Sequence, residues 1–385
     1  MNSPSPQLPF GPGEASPSPP GMRWRIASGV NWLFGLGSLL LALAILAVIP
    51  VLNFLSLGYL LEASRKVSLA GRLRDGFVGI RKASVLGRIA LGTWACLVPS
   101  RFLAGLWEDA LLIDPSGHSG RWARAAMVVT LVLGLLHLAW AVIRGARLRH
   151  FLWPAPLRFL AWIRETGKFT RLRDTTLDYV AGLRLPYYFL LGLQGFLGAF
   201  LWMALPLAIL IAASGLPPKP AGGLSLIGGG LLALVIMPLP FLQTHFAREG
   251  RFRAFFEWGA VRHRFRRAPF AFWIALTMTL ALALPLYLFK VELTPEAIAW
   301  LPGLVFIVLG FVARLLVGWA YGRSLRREKP SPFVWRWLNR IALIPILAVY
   351  VFVVYLTQYI SWNGARGLLE QHAFLVPALK FELRR

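Results

Sequence analysis

Five polar side chains fall inside long apolar runs, where chemistry is conceivable and burial is costly. His137 lies midway along the run at 125–146, and Arg314 at a similar depth in the run at 300–321. Arg101 interrupts the run at 84–107, with Glu108 and Asp109 two turns further on. Gln194 and Gln358 are the polar residues of the runs at 187–213 and 340–361. A charged group held in hydrocarbon costs about 3 kcal/mol or more, so each is by default a candidate for moving a proton or binding a polar solute. The sharp hypothesis is a polar site between two related halves, with His137 or Arg314 meeting the substrate. The plain one gives each residue a structural role. Arg314 precedes Arg323 by nine residues and can extend to the headgroups. Arg101 can do the same on the other face beside Glu108, and His137 can hydrogen-bond a neighbouring helix.

Signatures of soluble enzymes are absent. There is no G-x-x-x-x-G-K-[ST] and no H-E-x-x-H; Gly167-Lys168 stands alone, and His118, His150, His245, His263 and His372 are scattered. No G-x-S-x-G elbow occurs. Asp174 and Asp178 would share a helix face, but in a basic segment they pair with Arg171 and Arg173. The single Cys96 excludes an intramolecular disulfide and a cysteine metal cluster. The expectation is a non-enzyme with no catalytic, cofactor-binding or metal-binding residue and no cofactor.

The elements that would position such residues are plain from composition. Hydrophobic residues make up 57% of the 385 and charged residues only 15%, with a mean hydropathy of +0.62. A soluble chain is nearer a quarter charged. A crossing needs ~20 mainly apolar residues, and eight runs qualify: about 30–61, 84–107, 125–146, 187–213, 223–246, 269–289, 300–321 and 340–361. The reading is an all-α polytopic membrane protein with about eight transmembrane helices. The first run is overlong. Either Pro50 and Asn53 kink one crossing, or the run is a hairpin.

The net charge of +25 would suggest nucleic acid in a soluble protein. Here the basic residues sit in blocks: six in 62–83, eight in 147–186, seven in 247–268 and five in 322–339, with the alternate loops poor. That pattern predicts an inner-membrane protein with its basic loops cytoplasmic, touching anionic phospholipid headgroups, and no nucleic-acid partner. Single crossings throughout put both termini outside; a hairpin at 30–61 brings the N-terminus in. Membrane-protein partners or a homo-oligomer remain open.

Val132-Leu133-Gly134, Arg147, Pro154-Ala155-Pro156 and Arg164 recur 176 residues later as Val308-Leu309-Gly310, Arg323, Pro330-Ser331-Pro332 and Arg340. Val48-Ile49-Pro50 likewise has a counterpart in Ile236-Met237-Pro238. The expected organisation is a Pro-rich disordered tail (1–27), a first four-helix half (28–213), a second (214–362) and an interfacial tail (363–385). Within the first half, 157–185 reads as a basic amphipathic interfacial segment. Gly192, Gly195, Gly198 and Gly228-Gly229-Gly230 allow close helix packing.

Val48-Ile49-Pro50 through Gly58-Tyr59-Leu60-Leu61, followed by a basic loop and another crossing, resembles uncharacterised bacterial polytopic membrane proteins. In those, a Pro-interrupted helix ends in Gly-Tyr before a polar loop. The likeness covers residues 30–107; in the second half Thr244-His245-Phe246 replaces Gly-Tyr. It implies architecture and no catalytic or binding residue. Two function classes follow: a non-enzymatic membrane component or scaffold, and a small-molecule permease or exporter with its site between the halves.

Overall fold

A computed structural model describes residues 22–115, 117–164, 168–288, 300–360 and 364–369. The described residues are helical, with no strand among them. In chain order the helices are α1 (Met22–Val48), α2 (Asn53–Ala70), α3 (Ile80–Ile113), α4 (His118–Ile143), α5 (Leu148–Leu152), α6 (Pro156–Arg164), α7 (Lys168–Ala181) and α8 (Leu185–Ser214). They continue with α9 (Pro218–Ile236), α10 (Leu239–Glu249), α11 (Trp258–Arg267), α12 (Pro269–Leu288), α13 (Trp300–Leu325) and α14 (Phe333–Ile360). Eight described segments are long and apolar enough to cross a bilayer. Helices are the form such runs must take, because hydrocarbon offers backbone groups no other partner. The structure is that of a polytopic all-α protein.

The run at 30–61 is two helices, not one kinked crossing. Val51 adopts φ 66, the left-handed region that turns a chain sharply. Ser56 Oγ then donates to the Leu43 carbonyl, thirteen residues back, at 2.8 Å. Unbroken helix would hold those atoms ~20 Å apart, so α2 folds back along α1. The start of α1 therefore lies at the same end of the bundle as the connector after α2, where Trp32 meets Phe77. Of the two alternatives for this run, a kinked single crossing and a hairpin, the structure takes the hairpin.

The second proline break behaves differently. Met237 (φ −56, ψ −50) and Pro238 (φ −88, ψ −19) stay in the right-handed region. α10 accordingly carries on from α9 with a kink: Gly228 of α9 meets Leu210 of α8, and Phe246 of α10 lies beside Gly195 further back along α8.

Helices α2, α10 and α13 run side by side in one direction. Gly318 and Gly322 of α13 lie against Ser64 and Ser68 of α2, and Ser64 bonds Thr244 of α10. Their C-terminal ends gather the basic connectors. Arg326 sits beside Gly71, Ser331 N donates to the Arg266 carbonyl at 2.9 Å, and Tyr179 OH donates to the Lys82 carbonyl at 2.8 Å.

Two of these connectors share one backbone path. Gly71 (φ 80) and Gly250 (φ 68) close α2 and α10 in the left-handed conformation, which glycine adopts without strain. Extended Arg72 and Arg251 follow, then 3-10 turns at Leu73–Gly76 and Phe252–Phe256. The first climbs back alongside α2, which it leaves, Tyr59 OH donating to Val78 O at 2.9 Å; the second climbs back between α10 and α8, Phe255 stacking on Phe246 of α10 and its carbonyl accepting from Trp202 Nε1 of α8 at 3.0 Å.

The helices matched by the 176-residue displacement have different surroundings. α4 packs on α3 and α5, while α13 packs against α1, α2, α10, α11 and α12. In their most apolar windows α3 and α4 bury 11% of residues and α12 and α13 bury 50%, so the α3–α4 hairpin is peripheral. The segment at 157–185 forms two helices, α6 and α7, in contact through Trp162 and Phe169, while Trp162 also meets Trp140 of α4. Residues 1–21 of the Pro-rich tail, 370–385 of the C-terminal tail, and Lys290 lie outside the described residues; α1 begins at Met22.

Candidate functional site

Helix α10 is eleven residues long, and Leu239 through Ala247 are all buried. Three consecutive polar residues, Gln243, Thr244 and His245, stand among them. On a helix such neighbours point about 100° apart, so each meets a different partner. Arg314 of α13, 4% exposed, donates from Nη1 to Gln243 Oε1 at 2.6 Å. Thr244 donates to the Pro240 carbonyl at 3.1 Å and bonds Ser64 of α2 at 2.7 Å; with the threonine proton so used, Ser64 donates to it. His245 is held from both sides, Nδ1 2.8 Å from Tyr321 OH and Nε2 2.8 Å from Glu257 Oε2. Both ring nitrogens are thereby engaged, one by the Tyr321 hydroxyl and the other by the Glu257 carboxylate. The His245 hydrogen bond, helped by Arg251 and Arg253, holds the Glu257 carboxyl below the usual carboxylate range.

A second buried group lies two residues before Ser64 on α2. Glu62, 1% exposed, accepts Arg65 Nε on Oε2 at 2.6 Å and Arg65 Nη2 on Oε1 at 2.7 Å. Tyr187 of α8 adds a third bond, to Oε2 at 2.8 Å. The fork geometry and the tyrosine satisfy a carboxylate that burial alone would make very costly. All of this polar interior sits toward the basic end of the bundle, where α2, α10 and α13 finish.

The structure does not bring the five sequence candidates together. Arg314 alone reaches the centre, and it points inward to Gln243 instead of out to the headgroups. His137 Nε2 bonds the Phe151 carbonyl of α5 at 2.8 Å. Arg101 on α3 and Gln194 on α8 are exposed, and Gln358 is buried on α14. Sequence reasoning passed over Gln243, Ser64, Tyr321 and Glu257. One signal was available: Gly-Arg-x-Arg at 71–74 and again at 250–253 marks the ends of the two helices that carry the network. Among the described residues no cluster of three His, Cys, Asp or Glu side chains could hold a metal ion.

Fold and interior together define a multi-pass helical membrane protein with a paired polar core. Residues 184–291 match a family described as "Protein of unknown function (DUF4013)". The match spans α8 to α12, including the α9–α10 kink and the 250–258 connector; it falls on the second proline break, whereas the resemblance read from sequence lay at 30–107. No curated protein and no solved structure matches the chain.

Proposed function

We propose that this is a non-enzymatic component of the cytoplasmic membrane, a scaffold whose basic end and N-terminus face the cytoplasm. The positive-inside rule supports that orientation, since four basic connectors and the start of α1 share one end. The observation that carries the scaffold reading is the packed centre. Arg314, Ser64, His245 and Glu62 bond to neighbouring helices, and Gly58 of α2 meets Gly192 of α8 backbone to backbone. Such an interior fixes helices relative to one another. The exposed α3–α4 hairpin supplies apolar surface for a membrane-protein partner or a second copy, and the basic end suits anionic headgroups.

The like connectors after α2 and α10 support an internal duplication and a second reading, a permease with its site between the halves. Its residues would be the Tyr321–His245–Glu257 chain and Arg314. Thiol accessibility separates the two. With Cys96→Ala as background, Ser64→Cys and Thr244→Cys are expected to resist a small hydrophilic thiol reagent applied from either side. Reaction from one side that shifts to the other on adding solutes would contradict the scaffold and favour the permease.

A further inference from the structure

An apolar cleft of about 330 Å³ opens between the α9–α10 kink, α11, α12 and α14, within the ~300–1,000 Å³ of small-molecule sites. Met237, Phe241, Phe272, Leu276 and Leu343 line it, together with Arg262 of α11 and Arg340 of α14. Arg266 and Arg336, one turn from each on the same helices, join Arg262 as the charges that face Arg340. Like charges at i, i+4 repel, and two such pairs converge here. Among the described residues no carboxylate is among the groups facing Arg340, and Arg336 Nε is buried without an acceptor. α12 and α14 both begin at this end, so the arginines lie where those helices enter the bilayer and the cleft runs from them into the apolar interior.

We infer that the cleft binds an anionic phospholipid, the phosphate between the arginines and an acyl chain against Phe241, Phe272 and Leu276. Guanidinium groups suit phosphate because their paired N–H donors match its oxygens, and basic pockets between transmembrane helices on the cytoplasmic side are lipid sites by this chemistry. The inference rests on the basic end lying at headgroup level, and holds whether the protein is a scaffold or a permease.

The test titrates the full-length chain in neutral detergent with phosphatidylglycerol, with phosphatidylcholine of the same acyl chains, or with glycerol phosphate, and counts bound ligand by native mass spectrometry. Phosphatidylglycerol is expected to saturate at one per chain, with phosphatidylcholine and glycerol phosphate at least tenfold weaker. Arg262→Ala, at an exposed position, weakens it about fivefold, and Arg262→Ala with Arg340→Ala about 25-fold. Met237→Trp obstructs the apolar part and weakens it with every arginine in place. Arg72→Ala with Arg251→Ala, which removes equal charge elsewhere on the same end, leaves it unchanged. Equal binding of both phospholipids, equal loss in the Arg72/Arg251 control, or glycerol phosphate binding as tightly as phosphatidylglycerol would each overturn the site. Sidedness is read separately by thiol labelling, so failure of the site and failure of the orientation are distinguishable.

Discussion

Gly58→Ala is expected to destabilise the protein by about 3 kcal/mol, the upper part of the range for overpacking. A methyl at Gly58 would land on the Tyr188 carbonyl oxygen and crowd Gly192 N, and one at Gly192 would land on the Phe54 carbonyl. These obstacles are backbone, so no side chain can swing away. Relief requires α2 and α8 to separate, which stretches the nearby Tyr187–Glu62 bond and loosens Leu61 against Gly195. Gly105→Ala on α3, with nothing near the new methyl, should be neutral or stabilising by up to about 1 kcal/mol, the usual gain of alanine over glycine in a helix. Thermal unfolding in detergent compares them. Equal midpoints for the two variants would mean that α2 and α8 do not meet at these glycines.

Arg65→Met should cost about 3 kcal/mol, because it strands the Glu62 carboxylate in the interior with the Tyr187 hydrogen bond left to it. The figure is at the low end for a broken buried pair, since the Arg65 side chain is 21% exposed and water can partly replace it. Replacing both, Glu62→Leu with Arg65→Met, removes the charge along with its partner and should return stability to within about 1 kcal/mol of the parent. The double variant being less stable than Arg65→Met would show that the pair itself, and not the stranded charge, sets the stability.

Eight lipid-compatible runs and four basic connectors are legible in the sequence because a bilayer selects on composition. Helix α2 escapes that logic. It carries Asn53, Ser56, Glu62, Ser64, Arg65 and Ser68, too polar for a lipid-facing run, yet it lies enclosed by α1, α8, α10 and α13 and needs no lipid-compatible face. Pro50 and Pro238 both announce a break, but the outcome turns on the backbone conformation at the break. Val51 takes a left-handed conformation that valine rarely adopts, and so reverses the chain; Met237 and Pro238 keep the helical hand. No residue type at 51 signals this.

The polar core was legible only one residue at a time. Arg314 drew notice for its position in an apolar run, but its partner Gln243 sits 71 residues away on a helix that reads as the tail of α9. His245 shows no partner in sequence, because Tyr321 lies 76 residues on and Glu257 becomes adjacent only where its connector climbs back along α8. Depth along a single helix cannot say which helices touch, and so Arg101 and Gln194 ranked with Arg314 although both face outward.

The central claim is that α1 and α2 form a hairpin, placing the start of the bundle on the side of the basic connectors. Single cysteines at Met22, Arg72, Arg251 and Arg327, and at Val51 and Gly215, in a Cys96→Ala background, put it to the test in sealed vesicles of each orientation. The first four should react with a membrane-impermeant maleimide only in inside-out vesicles, and the last two only in right-side-out ones. If Met22 and Arg251 react from opposite sides, the first run crosses once and the architecture described here is wrong.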